Sequence, residues 1–555
     1  MQGLGPDRRS RLIAALATVL LLCGSAAARH DRAPAKAAVS ACVASGFGQV
    51  HHSVETSSLE AQRLFEQGLA LDYGFNHHQA EECFRRAAKL DPNMAMAWWG
   101  VALVLGPNYN MPADAEGERQ AYDAIQKALQ LSAGGPAVER AYIEALAKRY
   151  DPRPGADYQQ LEQDYHDAMR QLVARYPDDL DAATLFAESG MNLRPWRLWD
   201  NAGNPAPGTE EIVSTLESVL RRDPNHLGAN HFYIHALEAS PHPEAALPSA
   251  ARMADLAPAS GHLVHMPAHI YTRSGDHDLS ALANVKAAAV DEAYIKANKP
   301  QGVYPLMYYT HNLHFIAYES SMMGSSSDAV AAASKIYQYV NPHLLDMPML
   351  DAFAALRPQV LVRFRRWDDI LGTRIPNGAG SVSKLMWRYA RGLAFAAKGR
   401  TAAAQNELKA LRDAQAEMAK TPSPIGPANS ERVADMAAHL IEARIAQAQH
   451  DPDAAIARLR EAVALQDRMD YDEPPDWFYP IRETLGGALL QAGKPAEAEQ
   501  VFREDLKRNP RNARSLFGLA EALKAQGRAD DARWVQREFA AAWKNADIKL
   551  QIEDL

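Results

Sequence analysis

Histidine is the residue type with most to offer chemistry in this chain. Ten of its 19 histidines fall between His226 and His314, and their spacing is helical. His231, His235 and Glu238 stand four and three residues apart, and His262, His265 and His269 three and four apart. Residues so spaced share one face of an α-helix. Neutral imidazoles closed by a carboxylate form a donor set for Zn, Fe, Cu or Ni, whereas Ca or Mg takes an oxygen-rich shell. Two histidines with Glu238 make half of a two-metal site, or a 2-His-1-carboxylate iron centre with open positions. No second dense carboxylate cluster accompanies them in the sequence.

The elements that must carry these rows are helices. From about Gly46 onward the chain is rich in Ala, Leu and Glu, with apolar residues at i, i+3, i+4 and i+7 and no strand-like alternation. An internal period runs through it. Counting Ala61 as position 1, Gly68 stands at 8, Ala80 at 20, Phe84 at 24, Ala87 at 27 and Pro92 at 32. Gly486, Gly493, Ala498, Phe502 and Pro510 repeat the pattern from Tyr479, and Ala520, Gly527 and Ala532 continue it. Small residues at 8 and 20 allow close helix approach, an aromatic at 24 fills the gap, and proline at 32 ends the second helix. Weaker copies begin near Leu385 and Met436, with a degenerate one near Asp351.

This pattern resembles the tetratricopeptide repeat, a pair of antiparallel helices in about 34 residues. The resemblance implies an all-α, right-handed helical-repeat solenoid of stacked antiparallel pairs whose A helices line a concave groove. It also implies that positions 2, 5, 9, 12 and 13 of helix A face that groove. In the repeat from Leu227, His231, His235 and Glu238 take 5, 9 and 12. From Gly261, His262, His265 and His269 take 2, 5 and 9, with Arg273 at 13. From Thr310, after an insertion at 298–302, His311 and His314 take 2 and 5 and Tyr318 takes 9. Upstream, Glu188 and Asn192 fall at 9 and 13 of the repeat from Leu180, and Trp196, Trp199 and Asp200 follow as a cap for the groove's end. Neighbouring A helices lie roughly 10 Å apart, so these histidines can converge on one ion. Hydrogen bonding to an anionic or peptide ligand and plain structural packing are the alternatives. Pro267 lacks the N–H for Leu263 and should kink its helix between His265 and His269.

Other histidines read as ordinary surface or core residues: His51, His52, His77, His78, His166, His343, His439 and His450. His242 and His277 fall in turns, and His226 lies between repeats. The segment YDEPPDWFYPIR, with Trp477, Tyr479 and Arg482, reads as an inter-repeat linker; closure over the groove is the alternative.

The chain has 555 residues, 47% hydrophobic and 23% charged, with a net charge of −9. Such an acidic balance argues against nucleic acid or anionic lipid as the main partner. Arg8, Arg9 and Arg11, the apolar run Leu12–Leu22 and the Ala26–Ala28 site compose an export signal too short to span a bilayer. Residues 1–28 therefore read as a signal peptide, 29–46 as a flexible arm, 47–380 as a repeat array bearing the histidine groove, and 381–555 as a C-terminal array. The mature protein is expected to be periplasmic or secreted; Leu22 before Cys23 is a poor lipidation match. Cys42 and Cys83 remain, either as a disulfide or as two thiols.

Finally, NHFYIHALEASPHPE, GHLVHMPAHIY, FAESGMNLRPWRLW, YYTHNLHF and YDEPPDWFYPIRETLG together resemble a family of exported bacterial tetratricopeptide-repeat proteins, over most of the mature chain. That likeness implies the fold and supplies no reaction. Chaperone-tail clamps of this repeat class use Lys, Asn and Arg at groove positions where this chain has histidine, a departure that argues against tail binding. Three functions stay open: a binding scaffold holding a transition metal (Zn, Fe or Cu) with or without a small or peptide ligand, a metal-dependent hydrolase or oxygenase, and a protein-interaction scaffold. In the enzyme reading Glu238 or Glu188 is ligand or base, and Tyr318 or Arg273 contacts substrate. No P-loop, dinucleotide fingerprint or Ser-His-Asp order is present.

Overall fold

The computed structural model describes residues 42, 45–153, 155–299, 303–376, 378–418, 420 and 427–555. The export signal, Cys23 and most of the arm lie outside the described residues. Ser40–Leu555 form one compact unit, built among the described residues from α and short 3-10 helices without a strand. Helices pair with their sequence neighbours, Leu59–Asp72 with His77–Leu90 at one end and Ala513–Ala525 with Ala529–Ala542 at the other.

The repeat positions read from the sequence have visible physical work. The Phe84 ring lies between two glycines, so that a Cβ at Gly68 would fall 2.7 Å from it and one at Gly100 2.4 Å. Phe502 repeats the device at Gly486 and Gly518, where the gaps would be 2.3 and 2.2 Å. Each ring thus sets how closely one helix pair stacks on the next. Two apolar cores result, one drawn from Cys42 to Ile270 and the other from Ala288 to Ala532. They meet beside the helices that carry the histidines.

Those helices begin where capping chemistry starts them. Asp179 caps Leu180–Asn192. Ser260 caps Gly261–His265. His226 caps Leu227–Leu237, its Nδ1 accepting the Ala229 N–H. Pro267 does more than kink its helix: Gly261–His265 ends there and Pro267–Ser274 begins anew. The third histidine helix differs from expectation, running from Val303 to Met323 with no start at Thr310. Pro305 lies in its first turn, where the missing N–H costs nothing, so no residue interrupts the helix before His311. Pro243–Leu256 packs against Leu227–Leu237 and Pro267–Ser274. Cys42 and Cys83 are bonded, Cα to Cα 5.3 Å, tying the entering chain to the first repeat.

Candidate metal centre

Four helices bring the histidines together in a buried cluster. His231, His235 and Glu238 come from Leu227–Leu237 and its C-cap, His262 and His265 from Gly261–His265, His269 from Pro267–Ser274, and His311 and His314 from Val303–Met323. His231, His265 and Glu238 are fully buried, and His235, His262 and His269 nearly so. His311 and His314 are half-buried.

Hydrogen bonding fixes the protons on three of these rings. His231 Nδ1 lies 2.6 Å from the Tyr73 carbonyl oxygen, which only accepts. His235 Nδ1 is 3.1 Å from Glu238 Oε1. His265 Nδ1 is 2.7 Å from Asn284 Oδ1, the Asn284 amide nitrogen being committed to the Ser280 carbonyl. In each ring Nδ1–H therefore donates, and Nε2 is left as a bare lone pair. These lone pairs face other imidazoles: His231 Nε2 is 3.1 Å from His262 Nε2, and His265 Nε2 is 2.8 Å from His269 Nε2. His235 Nε2 and His262 Nδ1 are buried without a hydrogen-bond partner. Burial, and then the neighbouring imidazoles, hold His231, His262, His265 and His311 well below the ordinary histidine pKa. They are neutral near pH 7, the form that binds metal.

His269 is the exception. Its Nδ1 is 2.9 Å from Glu238 Oε2 and in close contact with Glu473 Oε2, and neither contact has hydrogen-bond alignment, since Nδ1 and both oxygens remain unpartnered. Burial alone would lower its pKa, but Glu473 and Glu238 push it up to about 10. The same pairing, with His235, holds the Glu238 carboxyl down against its burial. Burial drives Glu473 the other way.

Glu473 was not legible as part of the site. The 471–482 segment is no mere linker: Asp472–Asp476 and Phe478 form one wall of a chamber of about 440 Å³ whose other walls include His235, His262, His269, His311 and His314. Asp472 and Asp476 also carry raised pKa values, from desolvation first. A second carboxylate cluster therefore does reach the histidines, through tertiary closure that periodicity cannot show.

The remaining groove residues spread out. His314 lines the chamber but stacks on Phe478, centroids 6.0 Å apart and planes 5° from parallel. Arg273 and Tyr318 lie beyond the 472–475 wall, lining a separate cavity of about 510 Å³. Arg273 Nε donates to the Glu238 carbonyl, 2.9 Å. Asn192 donates to Glu188, 2.9 Å, and lines another cavity, of about 680 Å³, with Trp196 shared between it and the histidine chamber. Of the expected cap, Trp196 lines the chamber, stacked on Tyr109 with both rings against His235, whereas Trp199 and Asp200 line other cavities.

The further His52–Asp179–Asp181 group is built differently. Asp181 accepts from Tyr73 Oη and His52 Nδ1 and pairs with His226 Nε2, while Asp179 caps a helix. Its oxygens are satisfied by protein, as in a structural network.

Models described as tetratricopeptide repeat match residues 65–110 and 489–533. The chain is a tetratricopeptide-repeat protein. No curated protein matches it. Among solved structures, a human IFIT1 dimer with m7Gppp-AAAA is similar at 12% identity over 88% of this chain and 91% of that one, TM-score 0.33. The P58(IPK) TPR domain is 12% identical over 85% and 99%, TM-score 0.22. Naa15/Naa10 bound to HypK-THB is 11% identical over 88% and 89%, TM-score 0.23. At such scores no ligand or partner carries across. The tetratricopeptide-repeat fold suits protein partners, and no helix among the described residues is long and apolar enough to cross a membrane.

Proposed function

We propose that this tetratricopeptide-repeat scaffold binds a transition metal in its histidine chamber, beside a space for a small ligand. The observation that carries the reading is the set of fixed tautomers. His231, His235 and His265 each give Nδ1–H to an acceptor of their own and leave Nε2 bare, the outer-shell arrangement that metal-ligating histidines use. Of the cluster's nitrogens, His235 Nε2 and His262 Nδ1 have no hydrogen-bond partner at all, and a packed core has no need of such bare imidazole atoms. Charge supports the reading as well: two buried carboxylates, Glu238 and Glu473, share one imidazolium, His269, and Arg273, which acts on Glu473 less than His269 does, already spends Nε on a carbonyl. Zn, Cu or Fe in the +2 state suits imidazole donors in this setting.

The chamber favours a second reading, a metal-dependent hydrolase or oxygenase, because about 440 Å³ beside half-buried His311 and His314 accommodates a small substrate. Extended-peptide binding in this part of the groove fits less well, since the 472–478 wall closes it. We further propose export to an oxidising compartment, which the Arg-rich, apolar N-terminus and the Cys42–Cys83 bond support.

The test is elemental analysis of the mature protein, purified without a histidine tag and reconstituted with Zn, Cu or Fe, beside the His231→Ala/His265→Ala variant. Bound metal in the wild type that the variant loses is expected. Metal at trace level in both, or equal in both, overturns the reading. An open coordination position seen spectroscopically selects the enzyme, and saturated ligation selects storage or structure.

A further inference from the structure

We propose that the chamber holds two transition-metal ions, one among His231, His235 and His262 and the other among His265, His269 and His311. This rests on the metal reading above and deepens it. The two groups are successive copies of one pattern. The first takes positions 5 and 9 of the Leu227 repeat and position 2 of the next; the second takes positions 5 and 9 of that next repeat and position 2 of the one after.

The copies match in space. In the first, ring centroids are 4.9 Å apart for His231–His235, 4.9 Å for His231–His262 and 6.1 Å for His235–His262. The corresponding separations in the second are 4.7, 4.8 and 6.0 Å. In both, ligand atoms lie within 4.8 Å of one another. In both, the position-5 ring has Nδ1 tied to an acceptor outside the group, Tyr73 O or Asn284 Oδ1, and turns Nε2 toward another ring of the group, the position-2 ring His262 in the first and the position-9 ring His269 in the second. Its shortest nitrogen–nitrogen distances, 3.1 and 2.8 Å, lie close to the edge of about 3.3 Å for a tetrahedral ion with bonds of about 2.0–2.1 Å. Opening these pairs by a few tenths of an ångström requires only rotation of the rings.

The position-9 rings share a carboxylate. Glu238 Oε1 meets His235 Nδ1 and Oε2 faces His269 Nδ1 at 2.9 Å. One buried carboxylate thus orients His235, lies in ion-pair contact with His269 and, with Glu473, offsets the charge of two ions. The series ends after the second group for a visible reason. His314 at position 5 of the third repeat would need a histidine at position 9, where Tyr318 stands, and it stacks on Phe478 instead.

The experiment uses the untagged mature protein, stripped with chelator and titrated with Co(II), read by elemental analysis and visible absorption, with far-UV circular dichroism as the folding check. Two Co(II) per chain are expected, and His262→Gln and His311→Gln should each retain one, with different residual spectra. One Co(II) per chain in the wild type overturns the pair and leaves the single-metal reading standing. No Co(II), Zn or Cu in folded wild type overturns both. Should either variant fail to fold, the wild-type stoichiometry of two or one still decides.

Discussion

Glu238→Gln tests how the protein holds its histidines ready. Glu238 is fully buried, so what it does must be done through the groups it touches. Oε1 accepts from His235 Nδ1 at 3.1 Å and Oε2 faces His269 Nδ1 at 2.9 Å. Glutamine keeps the volume and one acceptor oxygen, but its other end is an NH2 donor. That donor has an acceptor in reach of the same spot, because Glu473 also contacts His269. The amide oxygen should therefore stay with His235 and its nitrogen should turn toward Glu473, leaving His269 with one carboxylate in place of two. Loss of an outer-shell partner costs 10–100-fold in metal affinity. The single variant should fall near the lower end, about tenfold or about 1.4 kcal/mol. Glu238→Gln/Glu473→Gln removes both carboxylates and should lose on the order of 100-fold. The assay is chelator competition on reconstituted protein, with circular dichroism to confirm the fold. Affinity of the single variant within twofold of wild type, or a double variant no weaker than the single, would refute this account of Glu238.

Asn284→Leu removes the acceptor that fixes His265, 2.7 Å away, at nearly constant volume; competition should show about a 10–100-fold weaker ion in the His265 group and an unchanged one in the His231 group. Asp181→Asn breaks the pairing of buried Asp181 with the largely covered His52 and should lower stability in urea by about 3 kcal/mol. Burial raises the Asp181 carboxyl and the His226 and His52 bonds more than reverse it, so its folded pKa is depressed and its contribution is present above about pH 3.9 and lost as pH falls. Burial lowers His52 and Asp181 more than reverses that, so the His52 contribution is complete below about pH 6.5 and lost as pH rises through its raised value. Wild-type stability from this pair should thus peak between about pH 4 and 6.5, and the Asn variant should flatten the alkaline decline. Cys42→Ser/Cys83→Ser opens a loop closed across 41 residues; thermal or urea melts should show a loss of about 3–4 kcal/mol from chain entropy.

What the sequence disclosed and what it hid divide along a physical line. The repeat period is a local property, since each small residue or aromatic at its position meets a neighbour a fixed distance along the chain, and so the A-helix register of His231, His235, His262, His265 and His269 could be read directly. Pro267 was legible for the same reason. The acceptors that give the histidines their protons were not. Tyr73 contributes a backbone carbonyl from the first repeat's turn, which has no sequence signature at all. Glu473 reaches His269 only because the chain returns to the groove some 200 residues later, and its segment contains a proline pair, Pro474–Pro475, that suits a linker as well as a wall. Asn284 is the instructive case between these extremes. It occupies position 24 of the Gly261 repeat, where Phe84 and Phe502 stand in theirs, and it is fully buried. A polar side chain at a packing position has to be hydrogen-bonded, and in a repeat whose A helix is lined with imidazoles the partner on offer is a histidine. Departures from the repeat at its packing positions, more than the histidine count itself, are therefore where a specialised site within this fold becomes legible.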